Sequence, residues 1–183
     1  MLCYGAQHLA SSFQTVRKNT IQIAQDIPED KYDHQPADGA RTVRRMLTHV
    51  AIAPMRLWHG MHGTRSMDMT GFDFLGLGER MGQEETTPRT KAEIVELLTR
   101  EGDAFAAFLA SLPDEALTEQ VQTYGASGPI HKSRLEMLLG AKEHEMHHRG
   151  QMMLIERQLG IVPHLTRQMQ ARIEQMTKAR STV

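Results

Sequence analysis

Cysteine and aromatic residues are scarce in this chain, and both shortages narrow its structural class. Cys3 is the only cysteine among 183 residues, so no internal disulfide can form, and a reducing compartment suits the protein. We interpret the Cys3 thiol as incidental. Aromatic residues make up only 5% of the chain, whereas methionines number 13. We expect these flexible thioethers to fill gaps in a helical core.

An excess of charge of one sign is also missing. The chain has 21 basic and 22 acidic side chains, giving a formal net charge of -1. The field that attracts nucleic acid or anionic lipid is therefore weak, and we predict neither partner. No segment approaches about 18 consecutive apolar residues, and the N-terminal residues lack the pattern of a signal peptide. We predict a cytoplasmic protein with no membrane segment.

The length and the 40% share of hydrophobic residues fit one compact domain spanning residues 1–183. Apolar residues recur at three- and four-residue spacing in several segments, which is typical of amphipathic helices. A proline, Pro54, lies inside the second of these segments and should kink it. The predicted helices are, in order, Ala6–Ile27, Thr42–His62, Thr90–Leu112, Leu135–Leu159 and a shorter C-terminal helix, Leu165–Lys178.

Two connections between these helices are long. Gly63–Pro88 is rich in glycine and has no clear periodicity, so we interpret it as a crossover loop or functional cover that packs on the helices. Asp114–His131 is rich in turn-forming residues and predicts a short hairpin.

The fourth helix carries three histidines within five residues. At 100° per residue, His144 and His148 lie about 40° apart on an apolar face, with Cβ atoms about 5 to 6 Å apart. One metal ion can bridge imidazoles at this spacing, so the pair is a candidate chelate half-site. The alternative is a single hydrogen-bonded core histidine with solvated neighbours. His147, at i+3 from His144, ranks second to His148 as its partner.

Other polar residues receive simpler interpretations. His59 and His62 project away from the apolar face of the second helix, and we expect both at the surface. On the fourth helix, four charged residues form a narrow arc that we expect to face water. They are Lys142, Glu145, Arg149 and Glu156. Gln151 lies about 20° from His144 and could donate or accept a hydrogen bond behind a metal ligand.

The letters His144, Glu145 and His148 also spell HExxH, the pattern of zinc proteases in which the glutamate is the general base. The metzincin continuation is absent, because Gln151 and Leu154 occupy its glycine and histidine positions. A later acid such as Glu174 could complete a different protease site. We keep a zinc protease as the less favoured alternative.

A better match covers nearly the whole chain. The order of a long first helix, TVRRMLTHVA opening the second, a long crossover, a third helix and HEMHHRGQM in the fourth resembles the DinB-like (DinB/YfiT) family. The resemblance implies an all-α fold: a four-helix bundle with a long crossover between helices two and three, followed here by an extra C-terminal helix.

The resemblance also implies a metal site. His49 of the second helix matches the family's first ligand, and His144 and His148 match its HxxxH pair. Taken alone, His49 borders the apolar face of its helix and would be an ordinary interface histidine. Three imidazoles leave a coordination position open for water or substrate, and zinc or nickel is the expected divalent ion.

Besides the less favoured zinc protease, two functions remain open. The resemblance implies a metal-dependent enzyme of the thiol-dependent S-transferase or hydrolase type, with a small-molecule substrate and a low-molecular-weight thiol as the expected partner. The alternative is a non-catalytic metal-binding or stress-response protein whose ion stabilises the bundle. The apolar stripe of the last helix predicts a homodimer.

Overall fold

The computed structural model describes residues 4–181, so the predicted role of Cys3 lies outside the described residues. Within these residues the fold consists of six α-helical elements and one hairpin, with short 3-10 helices at Glu29–Lys31 and Asp114–Thr118. In chain order the α-helical elements and strands are α1 (Ala6–Asp26), α2 (Val43–Ala53, continued by Pro54–His59 and Gly60–His62), α3 (Phe74–Glu85), α4 (Lys91–Ser111), β1 (Gln120–Gly125), β2 (Gly128–Ser133), α5 (Arg134–Gln158) and α6 (His164–Ser181).

Helices α1, α2, α4 and α5 form the four-helix bundle that the sequence predicts, with a long crossover between α2 and α4 and α6 as the extra C-terminal helix. Helix α1 packs along both α4 and α5, and α2 packs against α4. The rings of Phe13 and Phe105 meet edge to face at 4.9 Å in the core between α1 and α4. Burial of these apolar stripes is the main favourable contribution to the fold.

Helix α2 contains the predicted proline. Its N-cap is Thr42, whose hydroxyl accepts from the Arg45 amide at 3.3 Å. Pro54 has no amide hydrogen, and the helix continues through it as a six-residue π-helical stretch, Pro54–His59. The predicted disturbance at Pro54 therefore takes the form of π-helical turns.

The crossover is more ordered than the sequence suggested. It contains α3, whose N-cap Asp73 accepts from the Gly76 amide at 2.8 Å, so the expectation of a loop without regular structure is wrong. Glycines within α3 weaken its helical signal. Its buried residues are Leu77, Met81 and Glu85, spaced four apart, so the predicted packing against the bundle is confirmed.

The predicted hairpin is present. Strands β1 and β2 pair antiparallel from Gln120 with Ser133 to Gly125 with Gly128. Buried Arg134 ties this hairpin to the end of α2, because its guanidinium lies 2.9 Å from His62 Nδ1 and also bonds Glu119. His62 is fully buried, so its predicted surface position is wrong. Burial and the Arg134 charge lower the pKa of His62 to about 4.

A buried ion pair crosses the middle of the bundle. Glu145 is 1% exposed and receives the Arg17 guanidinium of α1 through contacts of 2.9 and 3.1 Å, while Glu156 is fully buried. The predicted water-facing arc on α5 is therefore wrong for these two carboxylates. The spacing of charges along α5 alone cannot show that Glu145 is buried against an arginine of α1.

Arg17 also contacts the other two bundle helices. Its Nη2 donates to the Val50 carbonyl at 3.0 Å, and its Nη1 donates to the Leu98 carbonyl at 2.7 Å. Val50 lies four residues before Pro54, so its carbonyl has lost its usual helical donor. A Cβ at Gly102 would lie 2.7 Å from Arg17 Cγ, so glycine at this position leaves room for the buried guanidinium. One side chain thus links all four bundle helices.

Among residues 4–181, no helix combines the length and the apolar character that crossing a membrane requires.

Candidate metal centre

Three histidines from two helices converge at one point between α2 and α5. The Nε2 atom of His144 lies 2.9 Å from His49 Nε2 and 3.2 Å from His148 Nε2. The three candidate ligand atoms all lie within 4.8 Å of one another. The structure therefore brings together the residues that the sequence analysis selected.

Local structure explains this convergence. His144 and His148 occupy the same face of α5 at i and i+4, and α2 packs beside that face. The indole of Trp58 lies 5.3 Å from the His144 ring and is itself fixed by a hydrogen bond from Nε1 to the Met137 carbonyl at 3.0 Å. A Cβ at Gly140 would lie 3.1 Å from that indole nitrogen. Glycine one turn before His144 therefore allows Trp58 to pack closely on α5.

Two of the imidazoles have an oxygen partner on the side away from the cluster. His49 Nδ1 lies 2.8 Å from Glu85 Oε1, and His148 Nδ1 lies 2.8 Å from Gln151 Oε1. Glu85 is 2% exposed and also receives Arg41 Nε at 2.7 Å. Such oxygen partners fix the ring orientation and leave Nε2 unprotonated. Gln151 thus lies behind His148, not behind His144.

These surroundings shift the pKa values of the cluster. Burial raises the pKa of Glu85, but hydrogen bonds from His49 and Arg41 outweigh this effect and lower it to about 2. Burial, followed by the neighbouring imidazoles His148 and His49, lowers the pKa of His144 to about 3. Burial also lowers the pKa of His148 to about 4 against the opposing hydrogen bond with Gln151.

The geometry fits a divalent ion. With Nδ1–H donated to Glu85 and to Gln151, the Nε2 atoms of His49 and His148 both present lone pairs to His144 Nε2. One proton on His144 can satisfy only one of them. Nitrogens that each lie about 2.0 to 2.1 Å from one ion are roughly 3.0 to 3.4 Å apart, close to the observed separations of 2.9 and 3.2 Å. A cation among the three nitrogens would replace this repulsion with coordination.

Two cavities border the cluster. One of about 240 Å³ is bounded by His49 and His144 together with apolar side chains of α2 and α3. Another of about 460 Å³ is bounded by His148, Gln151 and apolar side chains of α5. A small molecule could therefore approach the three nitrogens from either side.

The HExxH interpretation loses its general base in this structure. Glu145 is buried beneath the Arg17 guanidinium and belongs to the bundle core instead of the cavities. The other sequence alternative was His147 as a ligand. His147 is exposed, lies outside the three-nitrogen cluster and contacts Gln151 Nε2 at 3.2 Å.

Sequence analysis missed Glu85 and Arg41. Glu85 was assigned to an irregular loop, although its spacing from Leu77 and Met81 is that of a helical face. Arg41 precedes the N-cap of α2 and carries no motif of its own. A helical interpretation of the crossover could have found Glu85, whereas Arg41 required coordinates.

Fold and site together define a class: a four-helix-bundle protein with a cluster of three histidines that could hold a metal ion. Comparison with known families makes this assignment specific. The chain belongs to the DinB superfamily, whose family model matches residues 12–152. The family resemblance noted in the sequence is thereby confirmed.

Individual relatives are distant but cover most of the chain. YjoA from Bacillus subtilis is 22% identical over 163 residues, which cover 87% of this chain and 93% of YjoA. The structure of YfiT from Bacillus subtilis, described as a probable metal-dependent hydrolase with an unusual four-helix bundle topology, matches with a TM-score of 0.66 at 16% identity. That match covers 85% of this chain and 88% of YfiT.

A further structural match is a mycothiol-dependent maleylpyruvate isomerase. Its TM-score is 0.58 at 15% identity, with 79% of this chain and 59% of the isomerase covered. At these identities, the structural matches establish a shared fold and leave the reaction open.

Proposed function

We propose that this protein is a metal-dependent enzyme acting on a small molecule, of the hydrolase or thiol-dependent S-transferase type. In this proposal His49, His144 and His148 hold a divalent zinc or nickel ion, and water, a substrate or a low-molecular-weight thiol occupies the remaining position. The observation that carries the proposal is the convergence of three Nε2 atoms between two cavities. A site with three protein ligands and open access is typical of catalytic metal centres.

The side chains around the cluster have defined tasks in this scheme. Glu85 holds the proton on His49 Nδ1, and Gln151 Oε1 holds the proton on His148 Nδ1, so both Nε2 atoms stay available as ligands. Leu57, Leu77 and Met81 line the smaller cavity with apolar surface. A bound divalent ion would supply Lewis-acid chemistry by lowering the pKa of the water or thiol that it binds.

Elemental analysis of the purified protein tests the metal part of this proposal. We expect about one divalent ion per chain in the wild type and a strong loss of that ion in His49→Ala and His144→Ala. His131→Ala is the control, because this exposed histidine lies on β2, outside the cluster and outside both cavities. Equal metal content in all four proteins would contradict the assignment.

Activity assays test the enzyme part. The metal-loaded protein is mixed with cysteine or glutathione and monochlorobimane as electrophile, and separately with p-nitrophenyl acetate for hydrolysis. We expect turnover with at least one probe that is lost in His144→Ala and kept in His131→Ala. No turnover above the His144→Ala background with any probe would remove the enzymatic proposal while leaving metal binding intact.

The alternative is a non-catalytic protein whose ion pins helices together. It is favoured by one observation: the cluster and Glu85 connect α2, α3 and α5, so an ion there would cross-link three elements. Thermal unfolding with and without chelator addresses this alternative. A large loss of stability on chelation, together with no turnover, would favour the structural role.

A further inference from the structure

Arg41 lies beside the histidine cluster and borders both of its cavities. Its side chain borders the cavity of about 240 Å³ beside His49 and His144, and it also borders the cavity of about 460 Å³ beside His148. Among the lining residues of these two cavities, Arg41 is the only one that they share. A ligand entering from either side therefore meets the same guanidinium.

Glu85 fixes the orientation of the Arg41 guanidinium, but it does not bind all of the N–H groups. Its Nε and Nη2 atoms donate to Glu85 at 2.7 and 3.2 Å, which fixes the plane of the group. Its Nη1 has no hydrogen-bond partner among the residues the structure describes, and the side chain is 37% exposed. Two N–H groups on a held guanidinium are thus free to bind an incoming oxygen atom.

The charge balance favours an anionic ligand. Glu85 is the only carboxylate lining the smaller cavity, and His49 and Arg41 already contact its oxygens. Arg45 also lies 3.8 Å from Glu85, but its side chain lines neither cavity and so does not contact the ligand. The other walls of that cavity are mostly apolar. A fixed, partly free cation beside apolar walls matches a molecule with an anionic head and an apolar body.

We propose that Arg41 is the specificity-determining residue for a small carboxylic acid, whose carboxylate binds Nη1 while its apolar part fills the cavity bounded by Leu57, Leu77 and Met81. This inference rests on the proposed function, since it names the substrate class of the same site. It adds a requirement that metal binding alone does not impose: the substrate is an anion.

Paired probes of equal shape test this inference. Phenylacetate and the neutral phenylacetamide are titrated into the protein with and without metal, and the two dissociation constants are compared by calorimetry. We expect the carboxylate to bind wild type at least about tenfold more tightly than the amide, because a charge-assisted hydrogen bond is stronger than a neutral one. The metal-free titration excludes direct coordination of the carboxylate as the cause.

Two variants isolate Arg41. In Arg41→Gln we expect the preference for the carboxylate to fall to about unity, whereas Arg45→Gln removes an equal charge nearby from a side chain outside both cavities and should keep the preference. A purely structural role of Arg41 would weaken both probes equally and leave their ratio unchanged. Circular dichroism confirms that each variant is folded.

Several results would overturn the inference: equal binding of the two probes by wild type, an unchanged ratio in Arg41→Gln, or no binding of either probe. Failure of the proposed function gives a different result. A protein that takes up no ion would contradict the metal centre, yet the metal-free ratio of the two dissociation constants would still report on Arg41.

Discussion

Glu85 is a buried carboxylate that contacts His49 on one side and Arg41 on the other, at 2.8 and 2.7 Å. Its charge favours the Nδ1–H tautomer of His49, which leaves Nε2 as the ligand atom. We predict that Glu85→Gln lowers metal affinity by roughly 10- to 100-fold. Competition with a chromophoric chelator measures this change. Glu84→Gln is the control, because Glu84 pairs with Arg56 instead, and equal affinities of the two variants would contradict the prediction.

Glu156 is another buried carboxylate, but unlike Glu85 its side chain receives no hydrogen bond from the residues that the structure describes. It is fully buried at the end of α5, and neither carboxylate oxygen has a hydrogen-bond partner among the described residues. Burial, followed by the charge of Asp26 on α1, raises the pKa of Glu156 from 4.5 to about 7, against the opposing charges of Arg167 and Arg157. The folded protein therefore binds this proton more tightly than the unfolded chain does.

This shift predicts a pH-dependent stability. The contribution of protonated Glu156 is fully present below pH 4.5 and is lost as the pH rises through about 7. We predict that Glu156→Gln stabilises the protein by up to about 3 kcal/mol at pH 8 and changes little at pH 4. Urea unfolding of both proteins at pH 4, 6 and 8 checks this. A difference that does not vary with pH would contradict the assignment.

At the scale of elements, the Arg17–Glu145 pair links α1 to α5, and Arg17 also contacts carbonyls of α2 and α4. Removing one partner of a buried pair leaves the other charge without compensation. We predict that Glu145→Gln costs about 3 to 5 kcal/mol of unfolding free energy while metal content stays unchanged. Denaturant unfolding and elemental analysis measure the two quantities.

A surface pair supplies the matched control. Lys132 and Glu136 lie 2.9 Å apart with side chains that are 41% and 56% exposed, so Glu136→Gln should cost less than about 1 kcal/mol. If Glu145→Gln were as mild as this control and instead abolished hydrolysis, the glutamate would be a general base and the HExxH protease hypothesis would return.

The helices with regular apolar spacing could be predicted from the sequence. The ligand spacing of His144 and His148 on α5 could be predicted as well. Helix α3 has a weaker signal, because Gly76, Gly78 and Gly82 dilute its pattern and only every fourth residue is buried. The Arg17–Glu145 pair could not be predicted, since it joins residues 128 positions apart. Three-dimensional proximity decides whether a charge on a helix is solvated or buried, and one-dimensional spacing carries little of that information.

On the scale of the whole molecule, α6 is the element that the bundle covers least. Its large apolar side chains Met169, Ile173 and Met176 are 58%, 54% and 56% exposed. They recur at four and three residues, so they form one stripe along a helix that makes few contacts with α1. An isolated helix of this length is marginal in water, and pairing its stripe with that of a second copy would stabilise it.

We therefore predict a homodimer that forms through α6. Light scattering after size exclusion should give twice the chain mass for the wild type, and the mass of one chain for Ile173→Asp, because a carboxylate in the paired stripe is costly to desolvate. Gln175→Asp adds the same charge on another face of α6 and should remain dimeric. Metal content should be equal in all three proteins, since the histidine cluster lies between α2 and α5 within one chain. A wild type that stays monomeric at about 100 µM would contradict the prediction.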